Sequence, residues 1–297
     1  MYKENSKNSV GGQAVIEGVL MRSPRSIALA IRKPSGEIAL EKEENVAWSK
    51  RHPILGIFLI RGIATLIETL AIGMKSLVHS ADVAMEAEGK RVSGWEYGFS
   101  FVLSFAIAIT LFFVFPAFIF SQLKIFNIPT IMLNIIEGII RISMFLIFLF
   151  MVSFMPDMRR IFEYHGAEHK SIYLYENLKK RKETDIANSL TIEEAKKFSP
   201  QHPGCGTSFV IIILIISVFV FSFLGRPSFV MRVVLKLSLL PIIIGLAYEF
   251  IKFSARHRDN PLVKILITPG LFLQKLTTRE PSDDQIEVAL EAIKAVI

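Results

Sequence analysis

One cysteine, Cys205, is all the sequence carries. This excludes an internal disulfide, and its place beside a membrane-length segment predicts a reduced thiol on the cytosolic side. The first twenty residues contain no apolar core of the kind a secretory leader needs, so no cleaved signal peptide is expected. No basic run is interleaved with aromatics, which removes nucleic acid as a partner despite a formal net charge of +7. Gly11-Gly12 lacks the later glycines and the lysine of a phosphate-binding loop. There is no internal repeat from which an alternating-access transporter is usually built.

Charge is missing in whole blocks. Phe99 to Ser121 and Ser208 to Leu224 carry none, and hydrophobic residues reach 52% of the chain, more than a soluble core of this size uses. Each block can cross roughly 30 Å of hydrocarbon as a helix. Ile131 to Phe154, interrupted by Glu137 and Arg141, and Val230 to Phe253, with Arg232 and Lys236 near one end and Glu249 near the other, complete a predicted set of four transmembrane helices. Lys and Arg crowd the N-terminal region, the segment between the second and third spans, and the C-terminal end. The loop 122–130 holds only Lys124 and the one near Gly225 only Arg226. The positive-inside rule then places both termini and the central loop in the cytosol, with the lipid bilayer as the first partner. Arg232 and Lys236 run against this bias and are expected to snorkel.

The expected class is an α-helical integral membrane protein with a small cytosolic N-terminal β unit. Its divisions are the β unit (1–50), an interfacial or re-entrant helix with its linker (51–98), a first transmembrane hairpin (99–154), a cytosolic loop (155–207), a second hairpin (208–253) and a cytosolic C-terminal tail (254–297). Ser26 to Lys33 and Glu37 to Glu43 read as strands flanking a Pro34-Ser35-Gly36 turn, and Gly12 to Leu20 as a third. From Pro53 to Asp82 a helical pattern carries Arg61, Glu68, Lys75 and Asp82 at intervals of seven. Such a stripe is more often a solvated or ion-paired face than a conduit. A full crossing here would put either the N-terminal region or the basic central loop outside, so an interfacial or re-entrant course is expected. Glu137 and Arg141, four apart within a span, have the acid-first order of an intrahelical ion pair.

The central loop holds the chemistry. A helix is expected from Pro156 to about Lys182, and Thr191 with Glu194 marks the start of a second, short helix ending near Phe198. On the first lies His165-Gly166-Ala167-Glu168-His169. Two histidines four apart share one helical face and can reach a single metal ion, while Glu168 is placed to act as general base. At the loop's other end, His202-Pro203-Gly204-Cys205 sets an imidazole and a thiol in a short chelating turn. His165, His169 and Cys205, with His202 as a fourth ligand or as an orienting residue, suit zinc. A closed set of four would be structural, and an open position would mean catalysis. Glu17, and His257 with Asp259, are accessory candidates. Singly, His165 and His169 read more readily as an interfacial polar face, His202 as a turn residue and Cys205 as a small packing residue; it is their conjunction that points to a metal.

Several segments together resemble one family. They are Gly11-Gly12-Gln13-Ala14-Val15-Ile16-Glu17-Gly18-Val19-Leu20-Met21, Arg61-Gly62, Tyr164-His165-Gly166-Ala167-Glu168-His169-Lys170, Cys205-Gly206-Thr207-Ser208-Phe209, and the run from Pro269 to Pro281. The chain resembles, over nearly its whole length, the YqhQ family of uncharacterised bacterial membrane proteins predicted to be metal-dependent enzymes. Phe272 stands where the family pattern has tryptophan, a mild departure. The resemblance implies a bacterial cytoplasmic membrane and supplies no substrate. Two functions follow as expectations. One is a zinc-dependent hydrolase at the cytosolic membrane surface, acting on a lipid headgroup or a membrane-bound peptide. The other is a membrane-protein assembly or translocation factor with a structural metal, in which the Arg61, Glu68, Lys75 stripe docks a membrane-protein partner or a sister subunit of a homo-oligomer.

Overall fold

The structure is a computed structural model describing residues 10–85, 93–257 and 260–297. Four antiparallel strands, β1 (Gly11–Val15), β2 (Gly18–Arg22), β3 (Ser26–Arg32) and β4 (Ile38–Glu44), form a meander in sequence order. The expected single strand from Gly12 to Leu20 is instead a hairpin. It folds at Ile16-Glu17, where Glu17 takes a left-handed φ of 52° and Val15 pairs with Gly18. Side chains alternate across the sheet: Val19, Met21, Ala28 and Ala30 enter one core, while Val15, Leu20, Leu29 and Ile31 enter another. Both faces are covered, which is why β2 and β3 are apolar at nearly every position.

The helices follow as α1 (Trp48–Arg51), α2 (Ile60–Met85), α3 (Gly94–Ile109), α4 (Phe115–Leu123), α5 (Thr130–Val152), α6 (Pro156–Lys180), α7 (Ile186–Ser189), α8 (Ile192–Lys196), α9 (Thr207–Ser222), α10 (Phe229–Arg256), α11 (Pro261–Thr277) and α12 (Asp283–Val296). A π turn at Thr110–Val114 joins α3 and α4 into one rod. Among the described residues, three helical segments are long and apolar enough to cross a membrane: Gly94–Leu123, Thr130–Val152 and Phe229–Ala255. The fourth expected span, α9, is apolar but has 16 residues, about 24 Å of helix. It packs among α5, α10 and α11, with Ile211 and Ile212 against Ala247 and Leu273.

A three-layered cap sits on one end of this bundle. α6 and α12 cover the first sheet face and α2 the second. The last segment is therefore no tail: Ile286, Ala289, Leu290, Ile293 and Val296 of α12 lie in the main cap core beside Tyr164, Leu174 and Val19. Residues separated by the whole length of the chain thus share one core, which segment-by-segment reading divides.

α2 ties cap to bundle, and it begins at Ile60 rather than Pro53. Pro53–Gly56 forms a separate 3-10 turn, and Leu59, at φ 67°, redirects the backbone. Its first turns pack on α10, where a Cβ on Gly62 would lie 2.7 Å from the Tyr248 Cβ. Its later turns cover the sheet, so α2 runs from the bundle helix α10 to the cap. The charged stripe is consumed within the chain: Arg61 pairs with Glu249, Glu68 with Arg22, and Lys75 with Glu43, while Asp82 accepts from the Tyr97 hydroxyl.

Candidate metal centre

Helical spacing sets His165 and His169 one turn apart on α6, with ring centroids separated by 4.4 Å. The turn that precedes α9 brings Cys205 to them. The nearest ligating atoms of the three residues all lie within 4.8 Å of one another, and His165 Nε2 is 3.2 Å from Cys205 Sγ. Around a tetrahedral zinc, nitrogen and sulfur ligands are about 3.3–3.6 Å apart, so a small closure of the widest pair meets that geometry.

The surroundings aim these atoms inward. His165 Nδ1 is 2.7 Å from the Thr277 carbonyl, and His169 Nδ1 is 2.6 Å from that of Pro200. A carbonyl can only accept, so both rings carry the proton on Nδ1 and present Nε2 as a lone pair. His169 Nε2 is buried and has no hydrogen-bond partner. Leaving such an atom unpaired is costly, and a metal ion is the partner whose chemistry the histidine and thiol donors fit. Thr207 N–H donates to Cys205 Sγ at 3.4 Å, fixing the sulfur at the start of α9. Burial pushes His169 below the usual histidine range, with the nearby Cys205 sulfur opposing it.

Glu168 is buried beside this triangle, with Oε2 4.0 Å from His165 Nε2. Burial raises its carboxyl above the usual carboxylate range, opposed by the two histidines 165 and 202 and by the Gly12 N–H. β1 passes so close that a Cβ on Gly12 would fall 2.7 Å from the Leu20 carbonyl oxygen and 2.9 Å from Glu168 Cγ. The Gly-rich segment thus closes over the site through Gly12. Gly166, the weak point of the predicted helix, has a similar cause. A Cβ there would lie 2.0 Å from the Arg279 carbonyl oxygen, because the chain leaving α11 crosses α6 at that turn.

The remaining candidates lie elsewhere or are engaged. His202 is adjacent, its ring 5.8 Å from that of His169, but Nδ1 accepts from Gly204 N–H and Nε2 meets Glu176 at 3.3 Å. Gln274 grips the His202 backbone at both N–H and carbonyl. Glu17 is bound by Arg160 and the Tyr164 hydroxyl. His257 bonds the Phe253 carbonyl at an exposed helix end, and Asp259 lies outside the described residues. Gln274, Thr277, Pro200 and Glu176 escape sequence reasoning, since carbonyl partners and amide clamps carry no spacing pattern.

In the bundle, Glu137 and Arg141 are not an isolated pair. Their separation is 3.6 Å, whereas Arg232 Nη2 reaches Glu137 at 2.6 Å and Lys236 also bonds it. Arg232 and Lys236 therefore do not snorkel: both are buried, turned inward by a carboxylate that needs compensation. Arg141 turns to the Phe112 carbonyl on the π turn and to Ser217.

The fold and the site define a class: a helical membrane protein whose cap carries a preformed triangle of two histidines and a cysteine. The family model described as "Protein of unknown function (DUF1385)" matches residues 57–297. The chain is 33% identical over 315 aligned residues to the "Uncharacterized protein YqhQ" of Bacillus subtilis (strain 168), with 100% of this chain and 95% of that relative covered. The chain belongs to this YqhQ, or DUF1385, family. No solved structure matches it.

Proposed function

We propose that the protein is a zinc-dependent hydrolase working at the cytosolic surface of the bacterial cytoplasmic membrane. The observation that carries this reading is the number of available ligands. His165, His169 and Cys205 each bring one ligating atom to within 4.8 Å of the other two, while both ring nitrogens of His202 have partners outside this triangle. Three protein ligands leave a coordination position open, the mark of a catalytic rather than a structural zinc site. Zinc held there supplies Lewis acidity toward a carbonyl or phosphoryl oxygen. Glu168, within reach of that point and beside His165, takes a proton from the attacking water as general base. Thr277 and Pro200 fix the imidazole tautomers, and Gly12 leaves room for Glu168 while donating its N–H.

The substrate class follows from position. α9 starts two residues after Cys205, and α11 ends at Thr277, so the site lies where apolar helices meet the cap. An amphipathic substrate, a lipid headgroup or a membrane-bound peptide, is suited to that level. The four-span arrangement has both termini in the cytosol, with α9 crossing a locally thin bilayer. Ile60, Ile67, Leu70 and Met74 form an exposed apolar face of α2 that lies on the same leaflet. The assembly-factor alternative needs the α2 stripe as a docking face, and those charges already have partners in the chain. Glu168→Gln at unchanged zinc content should abolish turnover of headgroup and peptide substrates. Retained turnover removes the mechanism.

A further inference from the structure

The bundle holds a cationic cluster that the metal centre does not use. Glu137 on α5 faces three cations, Arg141 from its own helix and Arg232 and Lys236 from α10, and none of the four side chains is more than 3% exposed. One carboxylate against three cations leaves two formal charges without a counterion among apolar helices. Phe113 and Phe221 lie against Arg141, Phe120 against Arg232, and Phe221 near Lys236. Such cation–π contacts offset only a part of an ion's desolvation cost. The Lys236 ammonium has three donors, and Glu137 is its one hydrogen-bond partner among the described residues.

The approach to this cluster is also cationic. Between Phe115 and Arg141, and between Ser217 and Leu240, the sequence holds Lys124, Arg141, Arg226, Arg232 and Lys236 but a single acid, Glu137. Lys124 and Arg232 lie against the same ring: the Lys124 ammonium is 5.5 Å and the Arg232 guanidinium 3.3 Å from the Phe120 centroid. Arg226 lies at the same end, bonded to Thr130. A run of one sign of charge between low-dielectric walls concentrates ions of the opposite sign.

We propose that this end of the bundle binds a small inorganic anion, with chloride as its simplest form, held by Lys236 and Arg141 and drawn in past Lys124 and Arg226. Glu137 fixes the three cations in place, and the anion supplies the negative charge that one carboxylate cannot. The site is independent of the metal centre and of any reaction there.

The test uses the full-length protein in lipid nanodiscs, melted in sodium chloride and in sodium gluconate at matched ionic strength. The melting temperature should rise by about 3 °C for each tenfold increase in chloride above the dissociation constant. It should not rise in gluconate, and Lys236→Met should abolish the dependence. Lys124→Ala should move it to several-fold higher chloride. Equal melting in both salts overturns the proposal, as does a chloride effect that survives Lys236→Met, or a stabilisation that follows anionic lipid content instead. Should Lys236→Met fail to fold, chloride NMR line broadening by the wild-type protein, weakened in Lys124→Ala, takes its place. Absence of broadening is equally fatal.

Discussion

At the scale of single residues, the proposed metal centre depends on atoms that are aimed rather than merely near. His169 Nε2 is buried without a partner while its Nδ1 is tied to a carbonyl, so rotation of the ring would break a bond and gain none. Zinc analysis of purified protein should therefore return about one ion per chain, with His169→Ala and Cys205→Ala each losing most of it. Protons compete for the same lone pair. Burial holds His169 below its ordinary value of 6.5, so the ring stays neutral as pH falls through that value. Zinc should leave only at lower pH, which metal content measured in steps downward from neutrality will show. Gly12 is a second sensitive point. Adding a methyl there forces β1 away from Glu168 or from Leu20, and Gly12→Ala should cost about 1–3 kcal/mol, read as a lowered melting temperature.

At the scale of elements, α2 carries the coupling between cap and bundle. Its stripe of four polar residues pairs in turn with α10, β2, β4 and α3. The contacts differ in weight. Lys75 and Glu43 are both largely exposed, and their pair contributes little. Glu68 is almost fully buried against Arg22, so removing it takes the carboxylate from a partly buried guanidinium and leaves it the Asn45 amide oxygen. Glu68→Ala should destabilise by about 3 kcal/mol and Lys75→Ala by less than about 1 kcal/mol, measured side by side in thermal melts. The period of seven was legible in the sequence, because a helix returns to one face at that interval. Its partners were not, since a charge pattern says that a face is polar and leaves open whether water, another chain or the same chain meets it. The same limit explains Arg232 and Lys236. Near a helix end they read as snorkelling cations, and only the arrival of Glu137 from α5 turns them inward.

At the scale of the whole molecule, the cap is built from both ends of the chain and its middle. Val19 and Ala28, Tyr164 and Leu174, and Ile286 and Leu290 share one core. Deleting the residues after Arg279 removes α12, whose buried Ile286, Val288, Leu290, Ile293 and Val296 each contribute about 1.5–3 kcal/mol. That sum is of the size of a domain's total stability, about 5–15 kcal/mol. The truncated protein should lose its cap and with it the proposed metal site, seen as rapid proteolysis of the segment around residue 165 and zinc content near background. The sequence by itself determined the apolar helices, the hairpin around Pro34-Ser35-Gly36, the long α6 and the spacing of His165, Glu168 and His169, because these are local: periodicity, turn chemistry and one helical turn fix them. The tertiary structure alone decided that α12 is core, that β1 closes on Glu168 through Gly12, and that His202 is held away by Gly204 and Glu176. It also supplied the orphaned Nε2 of His169. Each of these depends on groups far apart in sequence meeting in a low-dielectric interior, where an unpaired polar atom or an extra methyl carries a cost that no local pattern records.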